Sequence, residues 1–287
     1  MLDDHIYLET GLSRARITRK GAALTELQLA GRVLIAQFDP AQKVFGGSLL
    51  APWPNRVRDG KYQFSDKHYQ LEINDPKSNA LHGFVFDQQA EIFEQTSTSV
   101  TLLNQVLSRP DYPSELEIYT TYELFSDELK VSHRVKNVGS APAPVGIGAH
   151  PYFVCDEDST VMIGAETAAI HDSQMIPVAK QPASALGLGS GVFRKISELE
   201  LDTQFENLDS VSATVRTSRG TFTLWQENAD YLMVYIAKAF PWSHQPGLAI
   251  ALEPQTCEAD AFNSAAGLRV LDPEDSTSMA WGLRLAS

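Results

Sequence analysis

Residues 116–137 read LEIYTTYELFSDELKVSHRVKN, and this stretch decides the fold class. Leu116, Ile118, Thr120, Tyr122 and Leu124 fall on one side of a period-two pattern. Phe125-Ser126-Asp127-Glu128 supplies a turn, after which Leu129, Val131, His133 and Val135 resume the alternation against Lys130, Ser132, Arg134 and Lys136. Successive strand side chains point to opposite faces, so the pattern predicts an antiparallel hairpin with one dry and one wet side. The same period recurs outward from it. Residues 213–217 and 221–226 flank a second turn at Ser218-Arg219-Gly220, and 231–237 and 278–285 read as further strands. Residues 11–29 and 32–37 read as opening strands, and helix is expected only in short pieces such as 195–201. Many short strands joined by Gly- and Pro-rich loops predict an all-β, large antiparallel β-sandwich with few short helices. No linker, repeat or composition shift divides residues 1–287, so one domain is expected.

The bulk numbers narrow the partners. Of 287 residues 43% are hydrophobic and 21% charged, which suits a sizeable core. A formal net charge of -13 opposes binding to nucleic acid or to an anionic membrane. Cys155 and Cys257 lie far apart, fit no metal-binding spacing, and read as buried reduced thiols. No signal peptide is legible and no apolar run nears the roughly 20 residues of a membrane span, so a cytoplasmic chain is expected, monomer or homodimer.

Five places combine reactive polar groups with a setting that would fix them. Leu248 to Leu252 is an unbroken apolar run that suits a strand buried on both faces, and Glu253 follows it at once. Pro254, having no N–H, is expected to end the pairing there. Burial would make this carboxylate a usable base; a strand-end glutamate paired with a surface lysine is the plain alternative. Asn55-Arg56 lies in the stiff loop Pro52-Trp53-Pro54, where the guanidinium fork could hold hydroxyls or bond loop carbonyls. His82 precedes Gly83, His150 sits between Ala149 and Pro151-Tyr152-Phe153, and Asp202 either caps a turn or joins a site. Among the tryptophans, Trp242 in its Pro-bounded loop is the best placed to meet a ligand, although sandwich tryptophans usually serve the core. His133 reads as a core histidine. His5, His68, His171 and His244 receive no role.

Together Asn55-Arg56, Leu81-His82-Gly83, His150-Pro151-Tyr152-Phe153, Leu201-Asp202 with Phe205, and Glu253-Pro254-Gln255-Thr256 resemble the aldose 1-epimerase (galactose mutarotase-like) family, in the family's order and over nearly the whole chain. The resemblance implies a β-supersandwich and interconversion of the α and β anomers of a hexose, without metal or nucleotide cofactor. It assigns Glu253 as general base and His150 as general acid, with Arg56, His82 and Asp202 holding the sugar and Asn55 beside them. Two relatives on the same scaffold stay open. A hexose-6-phosphate 1-epimerase would need cations such as Arg58, Lys61 or Arg109, and a sugar-binding or sensing domain would do no chemistry. Glycoside hydrolysis by Asp202 and Glu253 fits two histidines and an arginine less well.

Overall fold

The computed structural model describes residues 4–39, 41–42 and 45–286. Among the described residues, fifteen strands join in one sheet whose main path runs through Glu91–Gln95, Ser99–Val106, Leu116–Leu124, Glu128–Asn137, Ser276–Leu285, Gly220–Glu227, Asp202–Thr217, Tyr231–Phe240, Gly247–Gln255, Gly148–Ala149 and Leu49–Leu50. Neighbours along the strands of this path are antiparallel. The C-terminal strand therefore stands in the middle of the sheet, between Glu128–Asn137 and Gly220–Glu227. A second sheet of four strands, His5–Thr10, Ser13–Thr18, Ala23–Leu29 and Arg32–Ile35, covers one face of the first. The Tyr122 hydroxyl, on the large sheet, donates to the carbonyl of Ala22 at 2.7 Å and ties the layers together.

The hairpin anchors this packing. Leu116–Leu124 alternates buried and half-buried residues without a break, and its register against Glu128–Asn137 is uniform from Leu116↔Asn137 to Leu124↔Leu129. His133 faces inward, where Trp281 Nε1 donates to its Nε2 at 3.1 Å and Thr120 Oγ1 lies 3.0 Å from its Nδ1. Because Nε2 accepts, the ring proton sits on Nδ1 and the imidazole is neutral. Burial depresses its pKa to about 3.

Three local expectations are corrected. Residues 195–201 are not a helix: Arg194–Lys195 is a strand, Ile196–Glu198 one 3-10 turn, and the rest is irregular. The opening segment contains His5–Thr10 as an additional strand and breaks at Arg19–Ala22. Pro254 does not end its strand, which continues to Gln255 with Leu232↔Pro254 in register. On the other side of that strand, Leu252 N–H donates to Pro151 O and Thr256 N–H to Ile147 O. By alternation position 254 faces the gap between Gly148–Ala149 and Tyr152–Val154, so the missing donor falls where the ladder is already interrupted.

Cys155 and Cys257 are free and buried, and burial pushes both thiols up to about 12.

Candidate active site

Cross-strand register assembles the site. Tyr152, Ala251, Tyr235 and Asp202 pair in sequence across four adjacent strands. Directly paired residues share a face, so this row projects to one side of the sheet. Glu253 follows Ala251 by two positions and lies on the same face, in the next row beside Met233 and Gln204. Ala251 is small enough to let Tyr152 and Tyr235 meet above it, with ring centroids 6.4 Å apart. Gln255, one further row along, donates from Nε2 to Glu253 Oε2 at 3.2 Å.

The ladder break next to Pro254 presents the histidine. His150 N–H donates to Ser48 O, and its carbonyl accepts from Gly47 N–H, so its backbone is held away from the Gly247–Gln255 strand. Its ring stacks on Tyr152, centroids 4.8 Å apart at 19°. Nε2 lies 3.3 Å from Glu253 Oε1. Burial, reinforced by the charge of Glu253, holds the Tyr152 phenol well above its ordinary range, so this hydroxyl stays protonated and is no rival base.

His82 comes in from a tight turn. His82 has φ of 65° and Gly83 of 73°. A Cβ on Gly83 would overlap the carbonyl of Ala51, so only glycine permits this approach. His82 N–H donates to Asn55 O, and Asn55 N–H donates to His82 Nδ1 at 3.0 Å. Nδ1 being an acceptor, the ring is the neutral Nε2–H tautomer. Its centroid is 5.3 Å from that of His150. Asn55 also holds Arg56: Nη1 donates to Asn55 Oδ1 at 3.2 Å, while Nε donates to Asp75 Oδ2 at 3.0 Å. Asn79 Nδ2 donates to the same Asp75 oxygen, so the guanidinium fork is fixed before any ligand arrives.

Exposure grades across the group. Glu253 is 2% exposed and His82 and His150 each 6%, whereas Arg56, Asp202 and Tyr235 are half-buried. The acid–imidazole pair is therefore dry, and the arginine, carboxylate and phenol are wetter. Among the described residues, His82, His150 and Glu253 each offer a ligand atom within 4.8 Å of the others and form a group that could hold a metal ion.

Five segments remote in sequence thus converge on one buried carboxylate–imidazole pair. The model of the aldose 1-epimerase family matches residues 4–283.

The chain belongs to the aldose 1-epimerase family.

Among its relatives, the Escherichia coli K12 protein YihR is 29% identical over 275 residues, covering 93% of this chain and 88% of its own. Human galactose mutarotase is 28% identical over 197 residues, 61% of this chain and 56% of its own. The fold is that of the GalM/aldose epimerase homologue from C. elegans, with TM-score 0.86, 17% identity and 98% of each chain covered. Galactose 1-epimerase from Lactobacillus acidophilus NCFM superposes with TM-score 0.83 at 18% identity, covering 98% of this chain and 94% of that one.

Within this aldose 1-epimerase family member, six of the residues singled out from sequence come together: Asn55, Arg56, His82, His150, Asp202 and Glu253. Trp242 stands apart from them. It is 8% exposed, packed 4.2 Å from Phe240 and 6.0 Å from Phe38, and connects to His150 through Phe240 and Tyr152. The Pro-bounded loop carries its indole into an aromatic cluster because Phe38 and Phe240 offer apolar area there. Sequence reasoning missed Asp75, Tyr235 and the positioning role of Gln255. Gln255 could have been found from its period-two spacing to Glu253; Asp75 carries no local signal.

Proposed function

We propose that the chain is an aldose 1-epimerase acting on an unphosphorylated hexose, with Glu253 and His150 as the paired base and acid. The contact of 3.3 Å between His150 Nε2 and Glu253 Oε1, in a setting where both groups are almost fully buried, carries this reading. Ring opening removes the proton from the C1 hydroxyl while the ring oxygen gains one, and the C1–O5 bond breaks. Ionised Glu253 takes the first proton and protonated His150 gives the second. After rotation about C1–C2 the ring closes from its other face with the two roles exchanged, so both groups return to their starting states. His82 Nε2–H and the Arg56 fork donate to oxygens that gain negative charge, where exclusion of water strengthens such donors. Asp202 accepts from sugar hydroxyls.

The state of the two arginines among the three candidate cations favours a free sugar over its 6-phosphate, and Lys61 is exposed. Arg58 is taken up by Asp172 at 2.6 Å and Gln174 at 2.7 Å, and Arg109 by Asp111 at 2.8 Å. A phosphate would have to displace a carboxylate at either. Polarimetry of freshly dissolved α-glucose and α-galactose, with and without protein, tests the proposal. Faster anomer equilibration supports it. Binding without acceleration would instead make the chain a sugar sensor, and acceleration confined to 6-phosphorylated sugars would transfer the reading to that class.

A further inference from the structure

The row Tyr152–Ala251–Tyr235–Asp202 ends on a strand that has a further neighbour. The Asp202–Thr217 strand pairs on its far side with Thr160–His171, in the register Thr167↔Glu206 and Ala168↔Phe205. Both pairs sum to the same total, and the irregularity in this ladder lies earlier, between Ile163 and Ala165. The last pair of this ladder is Ala168↔Phe205; the same register continued three residues sets His171 opposite Asp202, and the bulge at Ile170/His171 places its extra residue on the Pro177–Pro182 strand, not on this one. Thr167 pairs with Glu206, and Glu206, Gln204 and Asp202 share one face, so the parity agrees. His171 is half-buried and pairs on its other side with Pro177. The fields of Asp202, Arg56 and Asp172 all reach its ring.

The hairpin loop beyond it is fixed against the arginine loop. Asp172 accepts from Arg58 Nη2 at 2.6 Å and from the backbone N–H groups of Gln174 and Ile176. Gln174 Oε1 accepts from Arg58 Nη1, and Asn79 Nδ2 donates to the carbonyl of Gln174. Since Asn79 also donates to Asp75, the carboxylate that holds Arg56, the loop carrying Gln174 and the loop carrying Arg56 are joined through one residue.

We infer that His171 is a further substrate-contacting residue, forming with Asp202 and Arg56 the end of the cleft that reads the sugar hydroxyls remote from C1. The inference rests on the epimerase reading for its choice of ligand. Glu253 and His150 set C1 and the ring oxygen at one end, and neighbouring strands are spaced about 4.8 Å apart. His171 stands three strands from Glu253, so the two backbones are about 14 Å apart, and side chains reaching inward from both ends leave room between them for one sugar ring. Burial and the neighbouring Arg56 keep its imidazole below its ordinary pKa against the pull of Asp202, leaving a neutral ring at pH 7 with one donor and one acceptor. That pairing suits a hydroxyl, which itself donates and accepts.

The test uses His171→Ala and His171→Gln in the full chain, with two readouts. In mutarotation of glucose, galactose and their 4- and 6-deoxy analogues, His171→Ala is expected to raise KM about 5- to 10-fold for the parent sugars, the loss of one hydrogen bond, with kcat within twofold. The penalty should shrink for the deoxy analogue lacking the contacted hydroxyl, and His171→Gln should recover part of it. Binding of 1,5-anhydroglucitol, which has no anomeric hydroxyl and cannot react, is measured by calorimetry and should weaken by the same factor. Unchanged KM, unchanged preference among the deoxy sugars and unchanged binding would overturn the inference, as would a fall in kcat alone. A wild-type protein that binds the anhydro sugar through His171 without turning over glucose would sink the epimerase reading and leave this one standing.

Discussion

In the proposed mechanism Glu253 and His150 divide one task. The carboxylate and the imidazole are in contact at 3.3 Å, and the proposed ring opening and ring closure place one exchangeable proton on opposite partners. Glu253→Gln removes the base and keeps the shape; His150→Asn removes the acid. Each should lower kcat about 10²- to 10⁴-fold, the worth of one positioned proton transfer, with an unchanged circular-dichroism spectrum. Full mutarotase activity in either variant, in protein freed of host epimerase, would refute the roles. Arg56 differs, since Asp75 and Asn55 orient it in advance. Arg56→Ala should chiefly raise KM if the fork holds ground-state hydroxyls, and a loss in kcat at constant KM would move its action to the transition state. Asp75→Asn should reproduce a milder version of the same change, because it frees the guanidinium without removing it.

At the scale of single elements, the turn carrying His82 and the hairpin carrying His133 respond to different perturbations. Gly83 lies where a Cβ would collide with the Ala51 carbonyl. Gly83→Ala should therefore cost about 1–3 kcal/mol and displace His82, so that thermal midpoint and kcat fall together. His133 gives a pH signature. It is neutral in the folded protein, with a pKa of about 3, and protonates below about 6.5 in the unfolded chain. Its contribution is thus fully present above pH 6.5 and is lost as pH falls toward 3, by about 1.4 kcal/mol per pH unit at most. Urea unfolding at pH 7, 6, 5 and 4 should show that slope, and His133→Gln should flatten it. An identical slope in the variant would mean that other groups drive the acid loss.

Over the whole molecule, the last strand locks the sheet. Ser276–Leu285 bridges Glu128–Asn137 and Gly220–Glu227, and Trp281 is 1% exposed with its indole N–H bound to His133. Trp281→Ala should cost about 3–5 kcal/mol. Removal of 276–285 should leave two sheet fragments with open edges, seen as loss of cooperative unfolding and as aggregation on size exclusion. A monomeric, cooperatively folding truncation would show that the halves are independent.

Alternation and turn chemistry are local. Local pattern is therefore enough to specify the Leu116–Leu124 and Glu128–Asn137 hairpin, the strands around Gly220, the all-β class, and the polar motifs that resemble the epimerase family. The remaining features follow from how the strands pack. Pro254 stays in its strand because the neighbouring ladder is broken beside it, and Trp242 packs into an aromatic cluster because Phe38 and Phe240 lie there. The tautomer of His82 is set by a backbone N–H from Asn55, 27 residues away. His171, unremarkable in its own segment, comes under the influence of Asp202 and Arg56 because its strand pairs with the strand that carries Asp202. Such properties depend on which strand lies beside which, and pairing partners are chosen by the burial of the whole sheet rather than by any neighbour in the chain.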